Sequence, residues 1–212
     1  MPNLVRSFLV AVILALGIAG SGGVAIADPF ADGIAAKTKG DYATALAIFR
    51  PLAEHGDAKA QNNLGFMYDK GLGVTQDYEE AVKWYRLAAD QGNAEGQVLL
   101  GVMYGYGNGV AKDDNEGVKW FRLAAMQGSE GAKVFAHFLL SAAYRSGRGV
   151  AKDEVRAYMW LQLWFAESHD DAARDSAAKE IEDLEKEVTP AQIAKAKEMA
   201  KVCKASNYKD CD

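Results

Sequence analysis

Residues 58–92 read AKAQNNLGFMYDKGLGVTQDYEEAVKWYRLAADQG, and the chain then repeats itself. Leu64, Gly65, Tyr68, Gly71, Gly73, Val74, Asp77, Trp84, Arg86, Ala88, Ala89 and Gly92 return 36 positions later as Leu100, Gly101, Tyr104, Gly107, Gly109, Val110, Asp113, Trp120, Arg122, Ala124, Ala125 and Gly128. Repetition this dense, at this period, marks a structural unit of two helices. Such a unit cannot bury its own apolar face, so copies must stack and close each other's core.

Within the unit, Ala60, Leu64 and Tyr68, with Ala58 and Gly65 beside them, have the 3-and-4 spacing of one packed helical face, which predicts a first helix (helix A) from about Ala58 to Lys70. Gly65 stands in its middle, where glycine costs about 1 kcal/mol against alanine. Its presence predicts a neighbour crossing too closely for a side chain. Gly71-Leu72-Gly73-Val74 ends the helix, with glycine for a left-handed C-terminus. Asp77 and Glu80 form a capping pair that opens a second helix (helix B), whose buried stripe is Ala81, Trp84, Tyr85, Ala88 and Ala89.

Working outward, Asp41, Tyr42, Ala45, Phe49, Arg50, Ala53 and Gly56 match Asp77 to Gly92 at the same offset, so 28–57 is an atypical first copy that caps the N-terminal end. Copies at 58–93 and 94–129 follow, then a divergent one at 130–169. In the last, Leu140, Tyr144, Gly147, Gly149, Val150, Asp153 and Trp160 fall 40 positions after their counterparts, so about one helical turn is inserted before Leu140. His137 replaces the glutamine there, Ser141 the glycine, and Leu161-Gln162-Leu163-Trp164-Phe165 the small ending. That bulky face needs a different partner. Residues 170–212 supply it: an amphipathic helix with Ala177, Ile181, Leu184 and Val188 on one face, then a last helix opened by Thr189-Pro190-Ala191-Gln192. The fold expected is all-α, an α/α superhelical solenoid of antiparallel helix pairs with C-terminal capping helices.

Residues 1–27 read as a secretory signal peptide, with Arg6 as the basic region, Phe8 to Ile18 as the apolar region and Ala25-Ile26-Ala27 as the cleavage site; the alternative, an uncleaved membrane anchor, is disfavoured by an apolar run that is short and broken by Gly17, Gly20, Gly22 and Gly23. Removal of the signal takes one of 24 basic residues and none of the 29 acids, moving the net charge from −5 to −6. The acids and bases are interleaved, with no basic run, which argues against nucleic acid. Past the signal, no apolar segment is long enough to span a bilayer. The expected location is periplasmic or secreted. There, Cys203 and Cys211 form a candidate disulfide pinning the tail to the last helix, with two free thiols as the alternative.

The pattern A-x-A-Q-x-x-L-G-x-x-Y-x-x-G-x-G-V followed by A-V-K-W-Y-R-x-A-A-x-x-G resembles the Sel1-like repeat, a relative of the tetratricopeptide repeat, from about Tyr42 to Phe165. The resemblance implies a right-handed superhelix with helices A on the concave side, a role in binding proteins or peptides, and no particular chemistry. It also leaves cell-wall fragments open as ligands, so the alternative is a peptidoglycan or β-lactam binding protein or hydrolase.

No enzyme constellation is visible. His55, His137 and His169 lie in separate segments without a nucleophile or ligand set, and Ser141, four residues from His137, lacks an oxyanion hole and an orienting acid. The glycine pairs follow helices and lack the Lys-Ser/Thr ending of a phosphate loop. Trp84, Trp120 and Trp160 share one repeated position and read as core, Trp164 less clearly so. No metal site and no cofactor are expected. By similarity to tetratricopeptide repeats, the concave groove would be lined by Asn62, Phe66, Asp69 and Lys70, by Val98, Val102, Gly105 and Tyr106, and by Phe138, Ala142 and Arg145. Phe66, Val102, Tyr106 and Phe138 would form an apolar strip edged by Lys70 and Arg145, suited to an extended peptide. The competing possibility is that the C-terminal helices fold over part of it.

Overall fold

The computed structural model describes residues 28–209 and residue 211; the expected signal peptide lies outside the described residues. Among the described residues there are ten α-helices and no strand: α1 (Pro29–Thr38), α2 (Tyr42–Glu54), α3 (Ala58–Lys70), α4 (Tyr78–Asp90), α5 (Ala94–Tyr106), α6 (Asp114–Gln127), α7 (Glu130–Ser146), α8 (Glu154–Glu167), α9 (Asp171–Glu185) and α10 (Pro190–Ala205). Each packs on its chain neighbour from α1 to α9, and α10 returns to α8. Four antiparallel pairs thus stack into a solenoid, and α8 carries both C-terminal helices on its bulky face.

Local chemistry sets the helix ends. Asp57, Asp77, Asn93, Asp113, Asp153 and Asp170 each accept the backbone N–H three residues on, and α3, α5 and α7 close on left-handed Gly71, Gly107 and Gly147. Thr189 and Gln192 make the reciprocal capping box expected of them. Asp77 caps α4 alone in this sense: the Glu80 carboxylate turns to Lys83 Nζ at 2.9 Å instead of reaching back.

The mid-helix glycines mark close crossings. A Cβ on Gly65 would stand 2.8 Å from the Tyr85 ring and 3.2 Å from Ala81 O; on Gly101 it would stand 2.5 Å from the Phe121 ring and 2.9 Å from Gly117 O. The crossing partner is therefore helix B of the same pair. Tyr85 is fully buried and Phe121 nearly so, and they fill the space beside the glycines. Trp160 is buried as expected, whereas Trp84 and Trp120 are half-buried, packed on the edge of the core.

Neighbouring pairs are stapled by side chains that recur with the period. Arg50, Arg86 and Arg122 donate from helix B to the hydroxyls of Tyr68, Tyr104 and Tyr144 on the next helix A, at 3.0, 2.5 and 2.7 Å. Gln61 and Gln97 donate their amides back to Ala53 O and Ala89 O of the preceding helix B, at 3.1 and 3.2 Å. The third copy departs from this. Helix α7 has 17 residues where α3 and α5 have 13, so the inserted residues form an extra turn. His137, in the glutamine's place, is fully buried, and neither ring nitrogen has a hydrogen-bond partner among the described residues.

Candidate functional site

Helices α5 and α7 touch each other directly as well as through α6, which places the A helices on the inner side of the stack. The expected strip is partly there. Phe66 is half-buried and flanked by two ammonium groups, Lys37 Nζ at 5.4 Å and Lys70 Nζ at 5.9 Å from its ring centre. Lys37 also reaches Asn63, and burial lowers its pKa. Asn62 and Val102 are half-buried, and Tyr106 is 73% exposed. Phe138 lies half-buried against Trp164, with the more exposed Phe135 stacked on its other side at 6.0 Å.

Two expected groove residues face the core instead. Val98 is buried because α7 packs over it. Asp69 is buried where it receives the Tyr85 hydroxyl at 3.4 Å and Lys70 Nζ at 3.0 Å; burial and this carboxylate together push the tyrosine pKa up. Arg145 is on the strip but already engaged, by Glu180 of α9 at 2.6 Å and Glu187 at 3.1 Å. The first C-terminal helix therefore covers the end of the strip at the third copy, while the middle stays open. Sequence reasoning missed Lys37 of α1, Phe135 of α7, whose counterpart in the second copy is Glu95, and Arg148, which follows α7.

Two hollows mark this face. One, of about 90 Å³, lies between α5, α6 and α7 and is lined by Val102, Gly105, Tyr106, Leu139 and Arg148 among others. The second, of about 400 Å³, lies beside it and is walled by Phe138, Ala142, Arg145, Leu161 and Glu180.

A polar cluster sits at the far end. Glu167 accepts the Tyr208 hydroxyl, pairs with Lys204 Nζ at 3.4 Å and stands 3.9 Å from His137 Nδ1. The His137 ring lies between Trp160 and Tyr208, with Lys133 over the tyrosine. Burial, opposed by Glu167 and helped by Lys133 and Lys204, pushes the His137 pKa down to about 4, so it is neutral at pH 7. Tyr208 is held by the Cys203–Cys211 disulfide. Ser141 donates to Phe138 O at 2.8 Å and not to His137. No cluster of metal ligands occurs among the described residues, and none of their helices is long and apolar enough to cross a membrane.

The geometry of stacked, stapled helix pairs agrees with comparison to known proteins. The model of the Sel1 repeat matches residues 58–93, 94–129 and 134–169. The chain belongs to the Sel1 repeat family. Among solved structures, a Sel1 repeat protein from Oxalobacter formigenes is similar at 31% identity and a TM-score of 0.63, over 72% of this chain and 59% of that one. A protective antigen present in uropathogenic Escherichia coli strains, displaying an SLR fold, is similar at 34% identity and a TM-score of 0.60, over 68% of this chain and 31% of the antigen. This Sel1 repeat chain thus spans less than two thirds of either neighbour. No curated protein matches it. Sel1 repeat proteins are generally protein-interaction scaffolds.

Proposed function

We propose that this protein is a non-enzymatic interaction module, exported through its N-terminal signal, which presents the inner strip of its A helices to a protein or peptide partner. The observation that carries the reading is Tyr106 of α5, 73% exposed, on the helix A side where Phe66 of α3 and Val102 of α5, at one position of the repeat, are half-buried. Aromatic anchors ringed by polar side chains are the usual composition of a recognition surface. Lys37 beside Phe66 adds a positive charge at that end, suited to an acidic neighbour on the partner, while Lys70 is paired with Asp69. Ser141 and His137 do not pair, so the hydrolase alternative gains no nucleophile and base from the geometry.

The strip is tested by capture from a periplasmic extract. Phe66→Ala with Tyr106→Ala is expected to abolish partner capture while leaving the helical circular dichroism unchanged; unchanged capture rejects the strip. Export is tested by N-terminal sequencing of the protein from an osmotic-shock fraction, with Asp28 expected as the first residue.

A further inference from the structure

One position of helix A decides what lies beneath the strip: its successive occupants are Asp69, Gly105 and Arg145. In the first copy, the Asp69 carboxylate fills the space and receives the Tyr85 hydroxyl. In the third, Arg145 crosses it to reach Glu180 and Glu187. In the second, Gly105 has no side chain, Phe121 replaces Tyr85 without its hydroxyl, and Gly117 replaces Ala81. The missing side chain at 105 and the missing hydroxyl at 121 leave the hollow of about 90 Å³, while Gly117 lets α6 approach Gly101 O, which a Cβ there would meet at 2.9 Å. Packing does not demand the glycine, because a Cβ on Gly105 would meet nothing nearer than Asp114 Oδ1 at 3.8 Å. Helix stability would favour almost any other residue there.

The walls include Val102, Val118, Phe121 and Leu139. The volume falls short of the roughly 150 Å³ that admits benzene, so it suits a small branched aliphatic group better than a ring. At the mouth stand Tyr106 and the exposed Arg148. Arg148 Nε donates to Ser146 Oγ at 3.4 Å, and its guanidinium meets no carboxylate among the described residues. Asp114, on the opposite wall, is held by Lys112 Nζ at 3.5 Å.

We propose that this hollow anchors a peptide partner by its C-terminal residue, the aliphatic side chain entering between α5, α6 and α7 and the terminal carboxylate meeting Arg148. The proposal rests on the strip being the binding surface and names what the strip selects. A guanidinium offers parallel N–H donors matched to a planar carboxylate. In an extended chain, neighbouring side chains point to opposite faces. An acidic residue beside the aliphatic one would therefore aim away from Arg148, whereas the aliphatic residue's own carboxylate is only a few bonds from the side chain in the hollow.

The test uses N-acetyl-L-leucine as probe on the intact protein, read by backbone amide chemical shifts of Gly101 and Gly117. Saturable shifts are expected with a Kd on the order of 1–10 mM for so small a ligand. N-acetyl-L-leucine amide, or the variant Arg148→Gln, should weaken binding at least tenfold. Gly105→Leu should abolish the shifts by filling the hollow from α5, and Ala142→Met should do so from α7, so that one remains informative if the other fails to fold. Absence of saturable shifts, their persistence in the filled variants, or equal binding of acid and amide would overturn the proposal. If the probe fails to bind while Phe66→Ala still loses partner capture, this pocket alone is rejected; if Phe66→Ala and Tyr106→Ala together leave capture intact, the strip itself is.

Discussion

At the scale of the residue, His137 shows how one departure from a repeat becomes a measurable property. Its counterparts Gln61 and Gln97 satisfy the carbonyl of the preceding helix B, while the His137 ring is neutral and without a hydrogen-bond partner among the described residues, buried between Trp160 and Tyr208 beside Glu167. Its folded pKa of about 4 lies below the ordinary value of 6.5, so the unfolded chain binds the extra proton across that interval. Stability is then complete above pH 6.5 and falls as pH drops toward 4, by about 2 kcal/mol at pH 5. Urea unfolding at pH 7 and pH 5 checks this. His137→Gln should flatten the dependence and restore the staple toward Ala125. Gly101 and Gly105 make a second pair of opposites on one helix. Alanine at 101 collides with Phe121 and Gly117 O and should cost about 1–3 kcal/mol. Alanine at 105 meets open space and should add up to about 1 kcal/mol. Equal effects at both would contradict the close crossing.

At the scale of the element, the periodic residues were the legible ones. Gly65, the capping Asp77 and the left-handed Gly71 each announced a local geometry that the backbone itself requires, and α3 spans the expected residues. The recurrent Arg86 and Tyr104 were visible as repeats but not as a bonded pair, because they belong to different copies of the unit and meet only on stacking. Asp69 and Val98 misled for a related reason. Helical spacing gives a residue's angle about its own axis, and whether the neighbouring helix covers that angle depends on the crossing. The C-terminal tail provides the test at this scale. Cys203 and Cys211 close a short loop, eight residues apart in sequence, that carries Tyr208 to Glu167. Replacing both by Ser should lower stability by about 2–3 kcal/mol under oxidising conditions and by nothing under reducing ones, as read by thermal unfolding.

At the scale of the whole molecule, a stack must end, and here its last helix B sets the terms. Leu161, Leu163 and Trp164 are buried on α8, on which α9 and α10 lie, with Trp164 also against Phe138 of α7. A chain ending at residue 169 should expose that face and aggregate, seen as loss from the soluble fraction in size-exclusion chromatography. The same cap, through Glu180 and Glu187 on Arg145, covers one end of the inner strip. That much was foreseeable only as an alternative, since the sequence shows an amphipathic helix without showing where it lands. What remains open is the middle of the strip around Tyr106. Leu87, 47% exposed on helix α4, offers an apolar comparator on the helix B layer. Site-specific photo-crosslinking with benzoylphenylalanine in place of Tyr106 or of Leu87, in intact cells, tests the strip most directly. A discrete crosslinked partner is expected from position 106 and none from 87; adducts from 87 alone, or the same adducts from both, would show that the strip is not the binding surface.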